Sequence, residues 1–248
     1  MTAAINTRLT RPDGTYVDGL QANGRQVAQG AQETNACALF YDVVPAAKAL
    51  AVGQYIAGLG LTAPPRTAGE VIGALAHDGL YPDLVRRLTD TGTDGWANII
   101  AQGATFTWEV WRPSDLIGDS MSHGWGANVL VEIQRALLGL NPDDAGYSSF
   151  TAAPPPGGLD RASGTLPTPE GTISLSWRRG RGPAMFQLTL TVPPNASATV
   201  RIPAPRRSAI TEGGQPLSRS AGVSSVTIDH GIAVLHVGAG TYHFAVAG

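Results

Sequence analysis

The chain holds one cysteine, Cys37, in 248 residues. A single thiol forms no internal disulfide and builds no multi-cysteine zinc site. The plainest reading of Cys37 is a small apolar core residue. His77, His230, His236 and His243 lack the spacing of metal ligands, and nothing reads as a phosphate loop or a dinucleotide fingerprint. No cofactor and no metal are therefore expected. A strong charge of either sign is also lacking. A net charge of −2 and a pI near 6.2 leave no electrostatic footprint for nucleic acid or an anionic membrane. No apolar run approaches the ~18 residues that cross a bilayer. Residues 1–10 are polar and show no apolar segment with a cleavage site, so no signal peptide is read and a cytoplasmic location is expected. No internal repeat is found.

What is present suits a globular protein. The 43% hydrophobic content supplies ample core for one large or two modest domains, and 31 Gly with 18 Pro imply many turns. The character changes once along the chain. From about residue 24 to 140 the text is helical. Residues 27–43 are Ala-rich and stop before Pro45; residues 46–59 follow at once. Thr67 with Glu70 three positions later resembles a capping box ahead of Val71, Ile72 and Leu75. Two short helices are expected over 78–88 and 94–101. A last helix starts at Ser120 or Ser122 and puts Val129, Ile133, Ala136, Leu137 and Leu140 on one face.

After residue 142 the period becomes two. Ile173, Leu175 and Trp177 alternate with polar residues, as do Phe186, Leu188, Leu190 and Val192. Val200 and Ile202, residues 223–228, residues 232–237, and Tyr242, Phe244 and Val246 continue the pattern. Turn residues between them give the spacing of a small antiparallel sandwich. The expected organisation is a helical domain over 1–142 and a β-sandwich over 143–248, joined through the Pro-rich stretch Pro154, Pro155, Pro156.

The segment Gly103-Ala104-Thr105-Phe106-Thr107-Trp108-Glu109-Val110-Trp111 sets one carboxylate between two of only five tryptophans. An indole covers the apolar C–H face of a sugar, and a carboxylate reaches a hydroxyl or a water. Burial against such faces tends to raise a carboxyl's pKa toward acid–base work. The plain alternative is that Trp108 and Trp111 simply pack a core. Asp115 and Asp119 read as turn and cap residues.

Other segments join this one in a fixed order: Tyr16-Val17-Asp18-Gly19, then Gln29 and Gln32 before Asn35, then Ser122-His123-Gly124-Trp125, then Leu138-Gly139-Leu140-Asn141-Pro142, Thr168-Pro169-Glu170-Gly171 and Val192-Pro193-Pro194. Over roughly residues 13–246 the sequence resembles the C-terminal portion of bacterial α-L-rhamnosidases, glycoside hydrolase family 78. The resemblance implies an α+β multi-domain fold, part of an (α/α)6 barrel followed by an antiparallel β-sandwich. It also implies inverting hydrolysis of terminal α-L-rhamnosides, with Glu109 as general base and His123 as a sugar-binding histidine. Trp108, Trp111 and Trp125 are the expected stacking surfaces.

In that family the general acid lies in the earlier half of the barrel, ahead of the matching region. About six helices are read here against the twelve of a full toroid. A replacement acid is sought in Asp18, Glu33 and Asp42, with Asp18 first because an Asp-Gly loop can point into a cleft, where it would also touch substrate. Two further readings stand beside a compact glycosidase. One is a non-catalytic, truncated rhamnoside-binding remnant. The other is half of an assembly, in which a second copy or an N-terminal partner chain covers the apolar inner faces and supplies the acid.

Overall fold

The computed structural model describes residues 1–114, 118–180 and 184–247; Asp115 and residues 181–183, where a turn is expected from the sequence, lie outside them. Contacts divide the chain into two compact units, Met1–Glu132 and Ile133–Gly248.

The first unit is helical: α1 (Thr2–Arg8), α2 (Gln32–Phe40), α3 (Ala46–Gly58), α4 (Pro65–His77), α5 (Tyr81–Thr89), α6 (Trp96–Ala101) and α7 (Val129–Glu132). Helix α4 is its hub and packs on α2, α3, α5 and α7. Val71, Ile72, Ala74 and Leu75 of α4 are fully buried, with Leu39, Ile56 and Leu84 from its neighbours. Helix α4 begins with Pro65, not after Thr67. Proline at the first helical position has no N–H to waste and a preset φ. The Thr67 hydroxyl donates back to Pro64 O instead (3.4 Å).

Two other helical expectations are corrected. Helix α2 starts at Gln32, later than residue 27, because the preceding backbone is engaged elsewhere. Val27 N–H donates to Gly19 O (3.1 Å), and Gln29 O accepts from Asp18 N–H (3.0 Å). The last helix is not continuous. Residues Gly124–Asn128 form a 3-10 turn, α7 follows, and Ile133–Leu138 is π-helical.

Two buried amides tie the first unit together. Gln32 donates to Ile56 O and Gly60 O (2.9 and 2.8 Å), while its Oε1 accepts from Thr62 N and Ala63 N (both 2.9 Å). Asn35 pairs with the backbone of Tyr16 in both directions, accepting from its N–H (2.8 Å) and donating to its carbonyl (3.1 Å). Both amides are almost wholly inaccessible. A buried amide with every group matched specifies one arrangement of its neighbours, because any other strands a polar atom.

The second unit is a sandwich of two sheets. Its strands are β1 (Leu140–Pro142), β2 (Ser149–Ala152), β3 (Arg161–Thr168), β4 (Gly171–Arg179), β5 (Ala184–Val192), β6 (Ser197–Pro203), β7 (Ile210–Glu212), β8 (Gln215–Pro216), β9 (Val223–Asp229), β10 (Ile232–Val237) and β11 (Gly240–Ala247). They are ordered β1-β2-β6-β10-β9 and β3-β4-β5-β11-β7-β8. Pairing is antiparallel throughout except for β2 with β6. The inward positions of both sheets form one core that includes Phe150, Ile173, Leu175, Trp177, Phe186, Leu235 and Phe244.

The units divide at 132/133 rather than at the expected 142/143. The reason is packing: Leu138 and Leu140 belong to the sandwich core, and Trp177 Nε1 donates to Leu138 O (3.1 Å). Gly139 allows the entry into β1. Its φ is +89°, and a Cβ there would sit 2.4 Å from Ala153 O.

Two outcomes are expected. Asn35→Ala leaves the Tyr16 N–H and C=O buried and unmatched, and lowers stability by about 2–3 kcal/mol in urea unfolding of the whole chain. Asp78 gives a pH test. Its Oδ2 is buried without a partner, 2.5 Å from where a Cβ on Gly53 would stand, and burial holds its carboxyl above the usual range despite His77. The folded chain therefore resists ionising Asp78 more than the unfolded chain does. The group favours folding below the ordinary carboxylate pKa, and that support is lost as pH rises through the raised value. Asp78→Asn raises the urea midpoint at about pH 7 and gives no gain near about pH 3.

Candidate active site

The segment around Glu109 is held by a short extended pairing. Glu109 N–H donates to Ser120 O (2.8 Å), and His123 N–H donates to Thr107 O (2.8 Å). The Thr107 hydroxyl also bonds His123 O. Beyond the inner rung, Asp119 acts as a turn residue, its Oδ2 accepting from Ser114 N–H (3.0 Å). This clasp brings together the carboxylate and the histidine that stand far apart in the text. Glu109 Oε2 accepts from Ser120 N–H (3.0 Å) and lies 3.9 Å from His123 Nδ1. The two side chains are 31% and 26% exposed, so both remain reachable from solvent. Oε1 of Glu109 takes no hydrogen bond from the described residues.

The three indoles divide by burial. Trp108 and Trp111 are only 7% and 6% exposed, whereas Trp125 is 46% exposed. Trp111 Nε1 donates to Ala63 O (2.8 Å), and its ring meets Trp96 edge-on at 5.1 Å. The expectation of stacking surfaces at Trp108 and Trp111 is corrected: their rings are committed to the core. Trp125 keeps a free face and packs edge-on against His123, with ring centroids 4.0 Å apart. Gly126 makes the approach behind it possible, since a Cβ there would come within 2.9 Å of Thr107 Cβ.

Asp18, the expected replacement acid and substrate contact, is exposed and bonds the fold through one oxygen. Its Oδ1 accepts from Ala31 N–H and the Thr34 hydroxyl (both 2.7 Å), fixing its loop to the start of α2. That is a capping contact reached from a distance, and it satisfies donors the helix cannot use internally. Asp42 is taken by His77 Nε2 (3.0 Å), and Glu33 sits in the first turn of α2. Ser120 N–H, Thr107 Oγ1 and Gly126 were not legible as site residues from sequence. A backbone donor leaves no mark in residue type, Thr107 acts through a bond to a backbone carbonyl, and Gly126 acts by allowing close approach. Among the described residues no group of three His, Cys, Asp or Glu converges as a metal site, and no helix is long and apolar enough to cross a membrane.

The helical unit carries a half-open Glu–His–Trp group and is followed by a sandwich, and known proteins share this order. Residues 139–216 match the family described as the bacterial alpha-L-rhamnosidase C-terminal domain. An alpha-L-rhamnosidase of Streptomyces avermitilis is 32% identical over 188 residues, which is 66% of this chain and 17% of that protein. The crystal structure of Streptomyces avermitilis alpha-L-rhamnosidase complexed with L-rhamnose matches 99% of this chain and 23% of its own, at 25% identity and a TM-score of 0.77. The fold also matches alpha-L-rhamnosidase from Dictyoglumus thermophilum, at a TM-score of 0.76 and 20% identity, over all of this chain and 28% of that one. The chain is thus similar, along nearly its whole length, to the C-terminal portion of family 78 α-L-rhamnosidases. It spans well under a third of the relatives it matches.

The burial pattern predicts a fluorescence result. Trp96, Trp108, Trp111 and Trp177 are all below 9% exposed, so acrylamide quenching should come mainly from Trp125. Trp125→Phe is expected to remove most of the quenchable fraction; an unchanged quenching curve would mean that another indole is open.

Proposed function

We propose that this chain forms the base side of an α-L-rhamnosidase site. Glu109 is the general base of an inverting hydrolysis of terminal α-L-rhamnosides. His123 bonds a sugar hydroxyl, and Trp125 covers the apolar face of the ring. The observation that carries the proposal is the unequal treatment of the two Glu109 oxygens. Oε2 is pinned by Ser120 N–H, while Oε1 is left without a donor among the described residues. A base needs that arrangement, with one oxygen fixing the carboxylate's orientation and the other taking a proton from water. The L-rhamnose held by the Streptomyces relative supports rhamnose as the sugar.

Inversion needs a second carboxyl about 6.5–9.5 Å away, on the opposite face of the sugar. Asp18 and Asp42 are engaged elsewhere in the unit. The relatives are several-fold longer than the stretch they share with this chain, and the proposal places the proton donor in that additional length, in the same or another polypeptide. Exposed apolar side chains support a covering surface: Ile100, Phe106, Met121, Leu130 and Val131 of the helical unit all lie open.

The test separates base from acid. A nitrophenyl α-L-rhamnoside has a leaving group that needs little protonation, so the 248-residue chain should hydrolyse it, with β-rhamnose as the first anomer seen by NMR. Glu109→Gln should abolish that release and leave rhamnose quenching of Trp125 in place. An alkyl rhamnoside should turn over about 10²–10⁴-fold more slowly than in an enzyme with its acid. Absence of both rhamnose binding and turnover, in a chain that unfolds normally, would rule the assignment out. Binding without any turnover of the activated substrate would leave a rhamnoside-binding remnant.

A further inference from the structure

The sandwich has an outer face that the proposed hydrolysis does not use. On β3, β4, β5 and β11 the outward positions fall into cross-strand rows. Arg161 lies opposite Arg178, and Arg178 opposite Gln187. The next row is Ser163, Ser176, Thr189 and His243, and the one after it Thr165, Ser174, Thr191 and Thr241. A hollow of about 480 Å³ lies over the first two rows, lined by Arg161, Ser163, Ser176, Arg178, Gln187 and Thr189 among others. No carboxylate lines it among the described residues.

Two features of this hollow point to a ligand. The first is the charge pairing. Like charges directly opposite on neighbouring strands are unfavourable, and here two guanidiniums are held so. Arg178 spends its Nε on the neutral Gln187 Oε1 (2.6 Å), which leaves its charge unbalanced. Arg161 makes no ion pair or hydrogen bond among the described residues. The second is the adjoining floor of hydroxyls, whose matched spacing along the strands suits a polyhydroxylated ring. A planar guanidinium fork recognises an oxyanion with two hydrogen bonds at once.

We propose that this face binds an acidic glycan. The anionic substituent of one sugar sits between Arg161 and Arg178, and ring hydroxyls exchange hydrogen bonds with Ser163, Ser176 and Thr189. The bond donors are the guanidinium N–H groups, and the shared chemistry is an oxyanion on a sugar, either carboxylate or sulfate. Such a surface would hold the protein on a charged polysaccharide independently of Glu109.

Affinity electrophoresis of the full chain tests this, in gels containing polygalacturonate, dextran sulfate or neutral dextran. Retardation is expected with at least one acidic polymer and not with neutral dextran; which polymer retards it identifies carboxylate or sulfate as the preferred group. Arg161→Gln with Arg178→Gln should weaken that binding at least about tenfold. The double lysine variant, which keeps charge but loses the forks, should fall between. Arg25→Gln, an exposed arginine in the other unit, should bind as the parent does, and so should Glu109→Gln, whatever becomes of rhamnoside hydrolysis. Thermal unfolding confirms that each variant is folded. The proposal is overturned by no retardation with either acidic polymer, by equal retardation with neutral dextran, by unchanged binding in the double glutamine variant, or by an equal loss in Arg25→Gln.

Discussion

The arrangement of the helical unit's chemistry depends on one backbone clasp. Two rungs, Glu109 to Ser120 and Thr107 to His123, join segments that would otherwise be independent loops. Each rung alone contributes little net stability, about 1 kcal/mol for a typical hydrogen bond. Their value is geometric. Once Thr107 and His123 are paired, Glu109 and His123 have little freedom to separate, and the Ser120 N–H fixes which carboxylate oxygen lies toward His123. Positioning of this kind supplies much of what a hydrolytic site needs, since small displacements of a reacting group are costly in rate.

Sandwich strands whose inward positions are large and apolar were legible from alternation alone. That holds for β4, β5, β10 and β11, where Trp177, Phe186, Leu235 and Phe244 mark the buried face. Strand β3 was not, because Ala162, Gly164 and Leu166 on its inner side are small or only partly covered. The last helix was misread for a different reason. Its apolar positions look like a single stripe, yet Val129 is buried within the helical unit while Leu138 and Leu140 enter the sandwich core. One periodic pattern served two cores, and the helix changes its winding between them. At the site, Glu109 and His123 were legible as residue types, but the burial of Trp108 and Trp111 was not. An indole beside a carboxylate has the same local sequence whether it faces a sugar or a core.

Asp18, Gln32 and Asn35 carry a similar lesson. All three sit in the motif that resembles the family, and polar residues in such a motif invite a functional reading. Their contacts are internal: Asp18 holds the start of α2, and Asn35 completes a two-way pairing with Tyr16. A polar side chain whose every group is matched within the fold has little left to offer a substrate. Gln32 and Asn35 are such side chains, whereas Asp18 and Glu109 each bond the fold through one oxygen only, and it is Glu109 that stands beside His123.

The buried polar groups nevertheless reach the site, through a continuous path. Gln32 Oε1 accepts from Ala63 N–H, and Ala63 O accepts from Trp111 Nε1. Trp111 lies edge-on to Trp96, whose own Nε1 donates to Gly126 O (2.8 Å). Gly126 follows Trp125 directly, and it is packed on Thr107, which begins the clasp. The two buried indoles are therefore supports: their N–H groups hold the segments on either side of Glu109 and His123 by backbone carbonyls that side-chain substitution cannot alter. Loss of Trp111 would leave Ala63 O without its donor and Trp96 without its partner, loosening the loop under Trp125. A buried tryptophan can in this way decide where the exposed one stands.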